Sequence, residues 1–378
     1  MKYYIIAGEA SGDLHGAHLI KALKNEDPNA DMRAWGGDQM KAAGAKVVKH
    51  YKDLAFMGFV EVLQNLPTIA RNFKFCKKDI SQFQPDVIIM IDYPGFNLRM
   101  AKWAKANGIR VFYYISPQLW AWKAGRVKII AKCVERMYVI LPFEKTFYQQ
   151  YNVEVDYEGH PLVDVVRNHR PDAHFLKKNN LSEKRPIIAL LPGSRKQEIE
   201  RMLKGMLAVQ PFFPDYQLVI AGAPSIERHF YEPCFKHNPS VFLVQNQTYD
   251  LLSHASAALV TSGTATLEAA LFNVPQVVCY SGNWFSYQLA KRLVNENLRF
   301  IAMANLIADK KVVAELIQTD FNTENLQREL AFCLSANGST TIKKGYLSIR
   351  NKLYLGGVSE RVGRLMVERL MQKNQAHT

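Results

Sequence analysis

A regular succession of short apolar runs, separated by amphipathic stretches, limits what this chain can fold into more than any other feature. In the first half the runs are YYIIAG (residues 3–8), MRAWGG (32–37), DVIIMID (86–92), RVFYYIS (110–116) and RMYVIL (136–141), with helical periodicity around residues 15–25, 97–107 and 124–131. The second half repeats the scheme with PIIALLPGS (186–194), YQLVIAGA (216–223), SVFLVQN (240–246), AALVTSG (257–263) and PQVVCY (275–280). Strands alternating with helices in this way form parallel layers. At 378 residues and 48% hydrophobic composition the chain can bury two cores. The expected fold class is therefore α/β, as two doubly wound, Rossmann-like domains facing a cleft. Residues 165–185 are polar and basic with little periodicity and read as the interdomain link. Residues 340–371 read as helical, ahead of a charged tail.

A formal net charge of +14 implies attraction to something acidic: nucleic acid, phosphorylated metabolites or an anionic membrane surface. RNA binding lacks its usual pattern of aromatic platforms, so no nucleic-acid partner is expected. Cys76, Cys133, Cys234, Cys279 and Cys333 are scattered, with no CxxC pair and no nearby histidine cluster. Neither a disulfide framework nor a zinc site is expected, and the compartment reads as reducing. The first apolar run ends by Ala7, too short for a signal-peptide core or a membrane span, so the expectation is a cytosolic protein.

Ligands in open α/β sheets bind beyond the carboxyl ends of the strands, so the residues just after each apolar run are the first candidates for a site. Residues 261–275, TSGTATLEAALFNVP, read as the end of a strand, a Ser-Gly-Thr turn and a helix with Glu268 in its first turns. The N–H groups of Ser262, Gly263, Thr264, Ala265 and Thr266, with the positive end of the helix dipole, make an anion site. Glu268 would repel phosphate there but accept from sugar hydroxyls, so phosphates beside a ribose explain both. The same spacing also fits an ordinary turn capped by Thr with a favourable early acid. Pro192-Gly193-Ser194-Arg195 enters another helix, and a cation beside its positive end is unfavourable unless an anion is present. Arg195 is thus placed to hold a diphosphate.

In the first half, GEASGD lacks the spacing of a dinucleotide loop or a P-loop, and its acids argue against phosphate. Glu9, Ser11 and Asp13 suit a hydroxyl-bearing ligand, or helix capping by Ser11 and Asp13. Asp92 closes a central apolar strand, where it could accept a proton from an attacking hydroxyl or simply cap the turn before Pro94. Asn97 and Ser116 also come just after strands and join the candidate contacts. His15, His160, Trp120 and Trp122 read as structural. Residues 53–78 depart from the pattern: Phe56, Met57, Phe59, Val60, Leu63 and Leu66 cluster ahead of Arg71, Lys74, Lys77 and Lys78. Apolar plus basic fits a membrane or acyl-chain surface, and equally an amphipathic helix covering its own sheet.

The ordered motifs AGEASGD, LAFMGFVEVL, IDYPGFN, SPQLWAW, LPFEKTFY, GHPLVD, LLPGSR, TSGTATLEAALFNVP and LAKRL resemble the lipid A disaccharide synthase family over nearly the whole chain. The resemblance implies a GT-B fold and an inverting glycosyltransferase joining UDP-2,3-diacylglucosamine to 2,3-diacylglucosamine 1-phosphate (lipid X). The implied products are the β(1→6)-linked disaccharide 1-phosphate and UDP. Residues 1–165 would form an acceptor and membrane-associating domain and 166–344 the UDP-sugar domain. Helices from about 345–378 would pack back on the first domain or exchange in a homodimer. Asp92 matches the family's essential aspartate, Arg195 its essential arginine, and Asn305 in AMANLIA a functional asparagine usually preceded by proline, here Ala304. Gly95 stands where a second acid is frequent.

On this reading Asp92 is the general base, with Glu9 and Asp13 as alternatives, and Glu9, Ser11, Asp13, Asn97 and Ser116 face the acceptor. Gly193, Ser194 and Arg195, with Ser262 to Thr266, clamp the leaving group. Glu268 holds the ribose, Asn305 joins the donor side, and acyl chains lie on Phe56, Met57, Phe59, Val60, Leu63 and Leu66. No cofactor and no metal are expected, and the implied location is the cytosolic face of the inner membrane. Three other readings stay open: a MurG-like lipid-acceptor transferase, a UDP-sugar 2-epimerase, and a non-enzymatic peripheral membrane protein.

Overall fold

The apolar runs become strands covered on both faces. In the computed structural model, which describes residues 1–54, 66–120, 124–236, 240–282, 299–353 and 356–375, β1 (Lys2–Ala7), β4 (Val87–Ile91), β8 (Ile187–Leu191) and β9 (Gln217–Gly222) are buried along nearly their whole length. Helices on both faces of a parallel sheet require apolar side chains at odd and even positions alike, which is why these runs do not alternate.

The chain forms two units, Met1–Pro161 with Leu355–Thr378, and Leu162–Tyr354. The first holds a seven-stranded parallel sheet in the order β3-β2-β1-β4-β5-β6-β7. Its remaining strands are β2 (Asp31–Gly36), β3 (Lys46–His50), β5 (Val111–Tyr114), β6 (Arg136–Val139) and β7 (Val155–Tyr157). The second holds a six-stranded parallel sheet in the order β10-β9-β8-β11-β12-β13. It is completed by β10 (Val241–Gln245), β11 (Ala255–Thr261), β12 (Gln276–Tyr280) and β13 (Ala314–Ile317). The α/β class with two doubly wound sheets is what the sequence pattern led us to expect.

Three strands escaped that pattern: β3, β7 and β13. Each lies at the edge of its sheet and is only partly buried, so none needs an apolar run. The expected link at residues 165–185 is corrected. It takes in the end of the helix Leu162–Asn168 and all of Phe175–Lys178, and Phe175 and Leu181 are buried in the second core beside Ile187, Val219 and Leu251. Two apolar anchors six residues apart in a basic stretch leave no periodicity to read.

Residues 340–371 also divide. Ala336–Leu353 and Val358–Gln375 are separate helices, broken where Gly356 and Gly357 take φ of +51° and +73°. The first is tied to the second unit by Tyr346, whose hydroxyl donates to the Val274 carbonyl at 3.0 Å. The last helix packs on the Ala10–Glu26 helix of the first unit, where Arg361 Nε donates to Glu158 Oε2 at 3.1 Å. His15 and His160 are both buried, and burial pushes their imidazoles down to about 4 and about 3, so both are neutral core residues.

Candidate active site

Each sheet reverses its strand order once, between β1 and β4 in the first and between β8 and β11 in the second. Loops leaving the strands on either side of such a point diverge to opposite faces, and ligands bind there. Four of the marked positions fall at these two points: Glu9 and Asp92 after β1 and β4, Arg195 and the Ser-Gly-Thr turn after β8 and β11.

At the first position Asp92 and Tyr93 both adopt left-handed backbone, with φ of +44° and +49°. Each such residue costs about 1–3 kcal/mol and persists only where its surroundings determine it. Here the Asp92 carbonyl accepts from Asn97 Nδ2 at 2.8 Å and from the Tyr113 hydroxyl at 2.5 Å. The Asp92 N–H donates to the carbonyls of Tyr114 and Ile115, both at 3.3 Å. The Tyr93 ring closes over Gly8, where a Cβ would lie 2.4 Å from the ring, so only glycine admits it. Burial, and then the neighbouring charge of Glu9, push the Asp92 carboxyl up to about 7, although the Tyr93 N–H opposes the shift.

That shift has a sign. Between the ordinary value of 3.8 and about 7 the folded protein holds a proton on Asp92 that the unfolded chain has lost, so stability falls as pH rises through this window. Asp92→Asn should therefore stabilise the fold, on the order of 1–3 kcal/mol at pH 8 and less at pH 5, read as melting temperature against pH. A gain that is equal at both pH values would contradict the buried-acid account.

Other first-unit candidates divide. Glu9 is partly exposed at the N-cap of the Ala10–Glu26 helix and Ser11 is exposed. Asp13 is not available as a base or a ligand contact: it is 2% exposed and accepts from the N–H groups of Gly37 at 2.7 Å, Met40 at 3.0 Å and Gln39 at 3.1 Å. It clamps the turn after β2, a partner no local pattern reveals. Asn97 is fully buried and donates to the carbonyls of Ile6, Ile91 and Asp92, so it orders the strand ends rather than touching a ligand. Ser116 is likewise turned inward, with its Oγ 2.7 Å from the Tyr148 hydroxyl and 2.9 Å from the Pro117 carbonyl. Phe56, Met57, Phe59, Val60 and Leu63, the Leu66 side chain, and Trp122 lie outside the described residues.

At the second position Gly193 has φ of +117°, and a Cβ there would meet Glu198 Oε2 at 2.8 Å. The Glu198 carboxylate fills this turn, accepting from Ser194 N at 3.2 Å and Arg195 Nη1 at 3.1 Å. Sequence reading missed Glu198, though its place three residues after the N-cap Arg195 is the spacing of a capping box. Arg195 is 53% and Glu198 35% exposed, so the pair is weak and a diphosphate could replace the carboxylate.

The Ser-Gly-Thr turn offers fewer donors than its five residues suggested. Ser262 N donates to Cys279 O at 3.0 Å and Thr266 N to Gly263 O at 3.1 Å. The N–H groups of Gly263, Thr264 and Ala265 have no partner among the described residues. Thr266 is buried, its Oγ1 bonding Gly263 O and Met303 N. Asn305 is also corrected as a ligand contact: it is fully buried, donates to Val313 O and Glu315 Oε1, and accepts from Val312 N and Val313 N. It ties the Met303–Ala308 helix to β13, the strand the sequence did not disclose. Glu268 accepts from the Tyr249 hydroxyl at 2.9 Å through Oε1, and burial raises its carboxyl above the usual range.

A family model described as lipid-A-disaccharide synthetase matches residues 3–359. A lipid-A-disaccharide synthase of Geobacter sulfurreducens is 37% identical over 372 residues, covering 97% of this chain and 96% of that protein. Among solved structures, the UDP-GlcNAc 2-epimerase of Methanocaldococcus jannaschii in complex with UDP-GlcNAc and UDP aligns with a TM-score of 0.67 at 15% identity, over 97% of this chain and 100% of that one. The glycotransferase of kitacinnamycin aligns at 0.66 with 12% identity, over 98% of each chain. At such identities the solved structures establish the shared GT-B fold alone.

Proposed function

Since the chain belongs to the lipid-A-disaccharide synthetase family, we propose that its first unit takes the acceptor and supplies Asp92 as general base, while its second unit holds the UDP-sugar donor. The enzyme is a glycosyltransferase of lipid A synthesis. The 6-hydroxyl oxygen of lipid X bonds to the anomeric carbon of UDP-2,3-diacylglucosamine as the bond from that carbon to UDP breaks, with inversion. The hydroxyl proton passes to the Asp92 carboxylate, and the transition state resembles an oxocarbenium ion. The observation that carries this reading is a carboxyl tuned to about 7 at the switch point of its sheet, where a base of that strength serves proton transfer at neutral pH.

Arg195 and the N–H groups of Gly263, Thr264 and Ala265 receive the charge on the departing diphosphate. Glu268 keeps Oε2 for a ribose hydroxyl while Tyr249 holds Oε1. Mixing the protein with UDP-2,3-diacylglucosamine and lipid X should yield the disaccharide 1-phosphate and UDP, with EDTA having no effect. No product from the wild type would overturn the reading. Inhibition by EDTA that Mg²⁺ reverses would overturn the metal-free clamp.

Among the described residues no helix is long and apolar enough to cross a membrane. The Leu66–Phe83 helix exposes Arg71, Lys74 and Lys78 around Phe75, which is 45% exposed. This face supports a peripheral contact with the cytosolic leaflet of the inner membrane, near the acyl-bearing substrates. Vesicles containing anionic lipid should sediment the protein at low salt and release it at high salt. Equal binding to neutral vesicles would remove the basic face from the account.

A further inference from the structure

We infer that Ser116, Tyr148 and Glu144 form a buried brace that positions Asp92 for catalysis, an inference that rests on Asp92 being the base. The starting observation is Ile115, a β-branched residue with φ of +64° immediately after β5. Such a side chain is a genuine outlier in left-handed backbone and persists only where its neighbours over-determine it. The carbonyls of Tyr114 and Ile115 are the acceptors of the Asp92 N–H, so the conformation of this residue sets where the base stands.

The restraint on Ile115 comes from two directions. Its own N–H donates to Tyr138 O at 3.0 Å, fixing it to β6. The next residue, Ser116, is 5% exposed and its Oγ meets the fully buried Tyr148 hydroxyl at 2.7 Å. Tyr148 lies on the Pro142–Gln149 helix one turn after Glu144, which is 1% exposed. Glu144 Oε2 anchors the start of that helix by accepting from Ile140 N at 3.1 Å and Leu141 N at 2.9 Å. Burial pushes the Glu144 carboxyl up to about 7, while those N–H groups and the Ser116 hydroxyl favour its charged form.

Three successive loops at one sheet edge are thereby joined: the helix after β6 holds the loop after β5, which holds Asp92 after β4. A set of polar groups this deeply buried costs more than an apolar core of the same shape unless its members are hydrogen-bonded to one another and to the backbone. The role of the set is positional, since all three side chains are turned into the protein and act on the reaction through the backbone beside Asp92.

Tyr148→Phe and Ser116→Ala each delete one hydroxyl with little change of volume. Either is expected to lower kcat about ten-fold, the scale of one lost hydrogen bond, with donor KM and UDP affinity unchanged. The acid limb of kcat/KM should move to lower pH, because an Asp92 that drifts from its place gains water. Adding Tyr148→Phe to Asp92→Asn should cost nothing further. A lowered melting temperature with wild-type kcat and an unmoved acid limb would reduce the brace to a structural feature, and so would equal losses of kcat and UDP affinity. If Tyr148→Phe fails to fold, Ser116→Ala reads the same link from the loop side. Failure of the base assignment shows separately, as turnover retained by Asp92→Asn alone.

Discussion

Asp92→Asn is expected to lower kcat by about 10²–10⁴-fold, the usual worth of a positioned general base, while UDP affinity stays close to that of the wild type. The carboxyl meets no diphosphate in the proposed chemistry, so its loss leaves donor binding intact and removes only the acceptor of the hydroxyl proton. Its pH dependence comes from the same geometry. Burial and the charge of Glu9 hold the acid at about 7, and only the ionised form can accept a proton. kcat/KM should therefore fall as pH drops through about 7, and remain level above it, instead of holding until pH 4. Glu9→Gln should shift this limb to lower pH by removing the second cause of the elevation. Steady-state rates between pH 5 and 9, with UDP titrated by calorimetry, decide the matter. Lost UDP affinity in Asp92→Asn, or an acid limb near pH 4 in the wild type, would contradict the assignment. Abolition of turnover by Glu9→Gln with activity retained in Asp92→Asn would move the base to Glu9.

Arg195→Ala should fail differently. Removing one charged donor aimed at a leaving group costs about 10²–10³-fold in rate, and because the proposed clamp has the same guanidinium meeting the diphosphate in the ground state, UDP binding should weaken as well. Arg195→Lys should recover only part of the loss, since an ammonium cannot present two parallel donors. The present partner of Arg195, Glu198, is partly exposed and weakly held, so giving it up costs little. Unchanged UDP affinity in Arg195→Ala, measured beside kcat/KM, would place the diphosphate elsewhere.

The two variants differ because of where their residues stand, and much of that placement is readable along the chain. Asp92 and Arg195 each come just after an apolar run, and in an open α/β sheet ligands bind beyond the carboxyl ends of such strands. The left-handed backbone at Asp92 and Tyr93 is not readable, because a Tyr-Pro pair gives no sign of it. Asp13 and Asn305 mislead for a related cause. Each is a polar residue in a marked motif, but each satisfies backbone groups of an element distant in sequence or unrecognised, the turn after β2 and the edge strand β13. Glu198 carries its signal in its spacing from Arg195 and could have been found.

The sequence by itself determined the class of fold, the positions of the central strands, and the family. Apolar runs and ordered motifs are local, and each records a local physical demand. Only the tertiary structure decided which polar residues are free to act. Whether a carboxyl or amide faces a ligand or is consumed inside the fold depends on donors brought to it from elsewhere in the chain. The acidity of Asp92 likewise comes from burial and from Glu9, brought beside it by the pairing of β1 with β4. Desolvation and charge act through space, so no reading along the chain could have supplied them.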